Sequence, residues 1–110
     1  MEPCIFCQIA AGGTATPFIY QDDDVVAFRD IQPQAPVHVL VVPRRHFASL
    51  DEVQDAPLLG RLLVAARHAA SRAGLQQYRL VINTGAEAGQ SVMHLHLHVL
   101  GGRVMAWPPG

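Results

Sequence analysis

His94-Leu95-His96-Leu97-His98-Val99-Leu100 decides the reading of this chain. Histidine and apolar residues alternate with a period of two, which belongs to an extended strand and not to a helix. All three imidazoles then project from one face, while Leu95, Leu97 and Val99 project from the other. Three explanations compete for the histidine face. Histidines that merely fill a solvated sheet face would be unusual, since threonine, lysine or glutamate suits that place better. A single metal ion could draw on two of the rings, but same-face neighbours lie roughly 6–7 Å apart at the backbone, so three on one tetrahedral ion would be strained. The third explanation comes from the preceding loop, Gly89-Gln90-Ser91-Val92. There glycine permits close approach, and backbone N–H groups with the Ser91 hydroxyl can bind phosphate oxygens. Phosphate donors beside imidazoles point to phosphoryl or nucleotidyl transfer.

Outward from the triad, the chain reads as alternating short elements. Residues 4–11 predict a short helix, with Ile5, Phe6 and Ile9 at helical spacing and Gly12-Gly13 to stop it. Strands are expected over 18–21, 25–29, 37–42, 78–83 and 92–100, the first two joined by the turn Asp22-Asp23-Asp24. Ser49-Leu50-Asp51-Glu52 has capping-box spacing, and Asp55 before Pro57 starts a main helix that runs to about residue 73, ahead of Gly74. Its expected buried stripe is Leu58, Leu59, Leu62, Leu63, Ala66 and Ala70, with Arg61, Arg67, His68 and Arg72 on a solvated face. About five strands linked by short turns imply an α+β domain, residues 1–110, with a mainly antiparallel sheet and one long and one short helix packed on one side.

Composition narrows the function classes. The 110 residues suffice for one core, half of them are apolar, and the net charge is -1 with arginines and acids scattered. No basic stripe exists to track a nucleic-acid polymer. All eight basic residues are arginine, so Schiff-base chemistry and a P-loop lysine are excluded. The start, Met1-Glu2-Pro3-Cys4, lacks the parts of a signal peptide, and no apolar run is long enough for a membrane span, so a cytoplasmic protein is expected. Cys4 and Cys7 are the only cysteines, and their spacing suggests a metal half-site or a redox pair.

The segment from His94 to Leu100 matches the His-φ-His-φ-His-φ-φ signature, φ being apolar, and so closely resembles the histidine triad family. The likeness extends to Phe28-Arg29-Asp30-Ile31, Pro33-Gln34-Ala35-Pro36-Val37-His38, Asn83, Gly89-Gln90-Ser91-Val92, Gly101-Gly102-Arg103 and Trp107-Pro108-Pro109-Gly110. Together these resemble the Hint branch, the purine nucleoside phosphoramidases. Dinucleoside polyphosphate hydrolases of the family typically follow the triad with proline and arginine, where this chain has Gly101-Gly102.

The resemblance implies hydrolysis of adenosine or guanosine 5′-phosphoramidates to nucleoside monophosphate and amine, with no cofactor required for catalysis. His96 would be the nucleophile, attacking the α-phosphorus to give a nucleotidyl-histidine, with its other nitrogen bonded to the His94 carbonyl. His98 would bind a non-bridging oxygen, His38 would relay a proton, and Ser91 would assist the leaving nitrogen. Asp30 would accept from both ribose hydroxyls. Asn83, Gly89, Gln90 and Val92 would serve the sugar and phosphate, and Ile5, Phe6, Ile9, Phe28, Ile31 and Leu40 would wall the purine. A dinucleoside polyphosphate hydrolase and a non-catalytic nucleotide-binding regulator are the alternatives. A homodimer with a continuous ten-stranded sheet is implied, the C-terminal Trp107-Pro108-Pro109-Gly110 reaching toward the partner's site, although Ala106 stands where some relatives have histidine.

In several bacterial members a Cys-x-x-Cys near the start joins two histidines around zinc, and the corresponding residues here are Cys4, Cys7, His46 and His94. Such a Cys₂His₂ set suits closed tetrahedral, structural zinc. Two buried free cysteines with a surface His46 is the alternative reading.

Overall fold

The computed structural model describes residues 3–110. In chain order the elements are helix α1 (Ile5–Ala10), strands β1 (Tyr20–Gln21), β2 (Val25–Arg29) and β3 (Val37–Pro43), helix α2 (Ala56–Arg72), and strands β4 (Tyr78–Val81) and β5 (Leu97–Gly101). Single 3₁₀ turns occupy Leu50–Glu52 and Ala86–Ala88. One sheet forms in the order β1-β2-β3-β5-β4, with every neighbouring pair antiparallel. This is the expected α+β arrangement.

Local chemistry explains the element ends. Asp22 Oδ1 accepts from the N–H groups of Asp24 and Val25, both at 2.8 Å, and Oδ2 accepts from the Tyr20 hydroxyl at 2.7 Å. The acidic cluster is thus a turn device between β1 and β2. At the start of α2 the Asp55 carboxylate caps the Leu58 N–H at 3.1 Å, and Pro57 sits in the first turn where it costs no hydrogen bond. The capping-box spacing at Ser49 falls on the separate 3₁₀ turn, where Ser49 Oγ accepts from the Asp51 N–H at 3.3 Å and Glu52 Oε1 accepts from the Ala48 N–H, one residue before the cap, at 2.8 Å.

Strand alternation divides the core in two. Val25, Ala27, Val39, Val41, Leu97 and Val99 pack against Leu58, Leu62, Ala65, Ala66, Ala69 and Ala70 of α2. On the opposite face Val26, Phe28, Leu40 and Val42 pack against Phe6, Ile9 and Ala10 of α1. The helices therefore cover both sides of the sheet, not one. The buried stripe of α2 also differs from expectation, since Leu63 is 49% exposed and alanines 65 and 69 take the inner positions. Small residues there let the helix approach the sheet closely, and the bulkier Leu63 is left at the rim.

The largest departure concerns the triad. Only residues from Leu97 onward form the last strand, so His94, at the end of a bend, and His96 lie outside the ladder. The partner strand β3 explains the break: its pairing with β5 ends at Val41↔Leu97, and Pro43, which has no N–H, gives its carbonyl to the His94 ring instead. Leu95 N–H finds the Phe47 carbonyl at 2.7 Å. The side-chain alternation survives without the ladder. The expected strands 18–21 and 78–83 likewise shorten to Tyr20–Gln21 and Tyr78–Val81. No helix among the described residues is long and apolar enough to cross a membrane.

Candidate functional site

His96 is buried, with its Nδ1 2.7 Å from the His94 carbonyl oxygen. A carbonyl only accepts, so Nδ1 carries the proton and Nε2 keeps its lone pair. The ring is held edge-on between Phe6 and His98, at centroid separations of 5.2 and 4.9 Å. This is an imidazole fixed in one tautomer with a free basic nitrogen.

His98 and His38 come from neighbouring strands. Leu40 faces His98 and His38 faces Leu100 across the β3–β5 ladder, so the two histidines are diagonal neighbours on one face. The backbone N–H of Gln34 donates to His38 Nδ1 at 3.0 Å, which leaves the His38 proton on Nε2. That Nε2–H points at His98 Nδ1, 2.8 Å away, and His98 must then carry its own proton on Nε2. The result is a one-way chain, from backbone amide through two imidazoles to a donor at the end. Asp30 Oδ2 stands 3.5 Å from His38 Nε2, while Oδ1 accepts from the Gln32 N–H at 2.8 Å.

Burial governs the charge state. It pushes His98 down to about 4, helped by its neighbours His96 and His38 and opposed by Asp30. Burial also lowers His38, outweighing the pull of Asp30, and His96 adds to the lowering. The His38–Asp30 contact is therefore a polar contact to a neutral ring, not an ion pair, near neutral pH. Asp30, His38 and His98 are close enough to share a metal ion. The amide proton aimed at His38 Nδ1 argues against it, because coordination through Nε2 would move a second proton onto that nitrogen.

These groups border a hollow of about 470 Å³. Of the residues expected to bind nucleotide, Ile5, Phe6, Phe28, Asp30, Ile31, Leu40, Ser91, Val92, His96 and His98 line it. Ile9, Asn83, Gly89 and Gln90 do not. Ile9 lies in the core beneath α1. Gln90 is buried and spends its amide on the backbone: Oε1 accepts from Gly85 N–H, and Nε2 donates to the Ala48 and Val92 carbonyls. Gly89 has a left-handed φ of 100°, and a side chain there would also press on the Asn83 amide, so glycine suits this point of the loop that carries Ser91. Sequence reasoning gave no role to Gln34 or Pro43. Both act through backbone atoms, which their side chains do not advertise; Thr16 also lines the hollow and carried no signal.

A second cluster lies behind the triad. His94 donates from Nε2 to the Pro43 carbonyl at 2.8 Å, so its Nδ1 lone pair faces Cys4 Sγ at 3.3 Å and Cys7 Sγ at 3.5 Å. His46 Nδ1 is 3.3 Å from Cys7 Sγ, and the four ligand atoms lie within 4.8 Å of one another. Burial lowers His94 and, with Cys4 beside it, raises the Cys7 thiol. Two sulfurs and two imidazoles, that of His94 with its tautomer set by the Pro43 carbonyl, fit tetrahedral zinc. His94 joins the centres, offering its ring to the cysteines and its carbonyl to His96.

Comparison with known proteins identifies the fold's relatives. The model of the HIT domain matches residues 13–105. An uncharacterized HIT-like protein of Synechocystis is 48% identical over 112 residues, covering 99% of this chain and 98% of its own. Among solved structures, a HIT family hydrolase from Legionella pneumophila is similar with a TM-score of 0.92 and 46% identity, over 98% of this chain and 100% of that one. A histidine triad nucleotide-binding protein from Candida albicans matches with a TM-score of 0.83 and 29% identity, over 96% and 83%.

The neutral histidines set a pH dependence. A histidine lowered on folding is protonated first in the unfolded chain, so stability rises with pH between the folded and unfolded values and falls on acidification. Denaturation midpoints should drop as pH falls from 6.5 toward 4, the interval between the ordinary histidine value and that of His98. His98→Gln should flatten the drop. An equal slope in both proteins would remove His98 as its source.

Proposed function

The chain belongs to the HIT domain family, and from that premise we propose that it is a hydrolase which cleaves purine nucleoside 5′-phosphoramidates through a covalent intermediate on His96. The observation that carries this reading is the free Nε2 of a histidine whose Nδ1–H is tied to the His94 carbonyl at 2.7 Å. The names of the Legionella and Candida relatives, a hydrolase and a nucleotide-binding protein, lend it support.

In the first half-reaction the Nε2 lone pair attacks the α-phosphorus and the P–N bond breaks. The amine departs with that electron pair and takes a proton at the Ser91 hydroxyl, which solvent replaces because Ser91 is exposed. The imidazole, bonded to phosphorus and still protonated on Nδ1, becomes cationic, and the His94 carbonyl accepts its stronger hydrogen bond. His98 Nε2–H donates to a non-bridging oxygen as charge grows there, its direction held by His38 and Gln34. In the second half-reaction water attacks phosphorus and gives up a proton to solvent, while the P–Nε2 bond breaks and its electron pair returns to the His96 imidazole, which is neutral again. Asp30, whose Oδ1 already accepts from Gln32, takes the ribose hydroxyls, and Phe6, Phe28, Ile5, Ile31 and Leu40 wall the base.

Cys4, Cys7, His46 and His94 would hold zinc, whose contribution is to tie α1 to the triad segment. The free thiols of Cys4 and Cys7 fit a reducing, cytoplasmic compartment. The homodimer is supported by β4, an edge strand, and by a small apolar groove of about 170 Å³ beside it that includes Leu59, Leu63 and Ile82.

His96→Ala should retain nucleotide binding and lose hydrolysis by at least about a thousandfold, and rapid quench of wild type with an adenosine phosphoramidate should yield a nucleotidylated peptide spanning residues 94–98. Activity near the original level would show that His96 is not the nucleophile. Elemental analysis should find one zinc per chain, with Cys7→Ser losing it and melting lower; metal-free native protein would end the zinc assignment. Sedimentation should give a dimer that Leu63→Asp converts to monomer, and a monomeric wild type would refute the shared sheet.

A further inference from the structure

A second cavity, about 460 Å³, adjoins the nucleotide hollow and is lined by Pro3, Cys4, Ile5, His46, Ser91, Val92 and Met93. The two share Ile5, Ser91 and Val92, so Ser91 stands on their boundary. If phosphorus lies beside His96 in the first cavity and the departing nitrogen takes its proton at Ser91, whatever that nitrogen carries extends past Ser91 into the second. This step rests on the phosphoramidase reading above.

The chemistry of the walls defines what fits there. Among the described residues no arginine, aspartate or glutamate faces this cavity. Pro3, Ile5, Val92 and Met93 are apolar. Cys4 and His46 turn their ligand atoms toward Cys7 and His94, and zinc held there would balance two thiolates and leave that wall without net charge. A polyphosphate leaving group would enter with several negative charges and, among the described residues, no arginine to receive them, whereas an alkyl or aryl group would bury apolar surface. Met93 is the flexible part of the lining, 49% exposed, unbranched and adaptable to flat groups.

We propose that the cavity beyond Ser91 is the leaving-group subsite and that Met93 makes it selective for amines bearing an uncharged, apolar substituent. The contact is made by atoms remote from phosphorus, so it sets specificity without entering the bond-making step.

The test compares three adenosine phosphoramidates: the unsubstituted one, whose leaving group is ammonia, one of phenylethylamine, and one of aspartate. Wild type should favour phenylethylamine over aspartate. Met93→Asp should lower kcat/KM for phenylethylamine about tenfold while the unsubstituted compound changes less than about twofold. Met93→Arg should shift the aspartate-to-phenylethylamine ratio upward about tenfold. Zinc content and melting temperature should match wild type in both variants. If either substitution scales all three substrates by one factor, or leaves every ratio unchanged, the subsite is misplaced. A wild type that turns over none of the three would overturn the phosphoramidase reading itself, and the subsite with it.

Discussion

The hydrogen bond from the His96 Nδ1–H to the His94 carbonyl depends on a break in the sheet. β5 begins at Leu97, so the backbone of residues 92–96 has no partner strand to serve, and a carbonyl that a ladder would engage is free to accept from a side chain. The break follows from Pro43 at the end of β3, and the backbone freed by it finds other partners. Leu95 bonds Phe47, the Pro43 carbonyl holds His94, and the buried Gln90 amide fastens the loop in front. A reactive nitrogen is thus oriented by main-chain atoms, which cannot change rotamer.

The same economy explains how the site manages charge. It contains four histidines and one carboxylate, with no lysine anywhere in the chain. Burial keeps His38, His94 and His98 neutral, and each has one nitrogen committed to a donor or acceptor. Directional dipoles replace full positive charges. An anion entering the hollow meets preset N–H donors and need not displace ion pairs formed in its absence.

Much of this was legible in the sequence, and the reasons are specific. Strict alternation in residues 94–100 placed three imidazoles on one side because side-chain direction needs only extended backbone, not a completed ladder. The same argument could not see that β3 stops pairing at Val41, so it drew the strand five residues too long. The inner face of α2 was misjudged at Leu63, because the pattern leaves leucine and alanine stripes equally open and only the closeness of packing decides between them. Helix α1 was found, but not its side of the sheet, which local periodicity does not encode. At the site, side-chain groups were readable and backbone groups were not: Gln34 fixes the His38 tautomer with an amide that every residue except proline has. Gln90 was drawn toward ligand by its polarity, and in the fold its amide braces the loop in front of the triad.

His94 belongs to two centres, with its ring among the cysteines and its carbonyl behind the nucleophile. Substitutions around it will not combine independently. Changes at Cys4, Cys7 or His46 alter the footing on which changes near His96 are measured, so the two clusters form one epistatic unit despite their separate chemistry. A lineage that gave up the cysteines would have to re-anchor this segment by other packing, and the order of those replacements would constrain which intermediates keep a working triad.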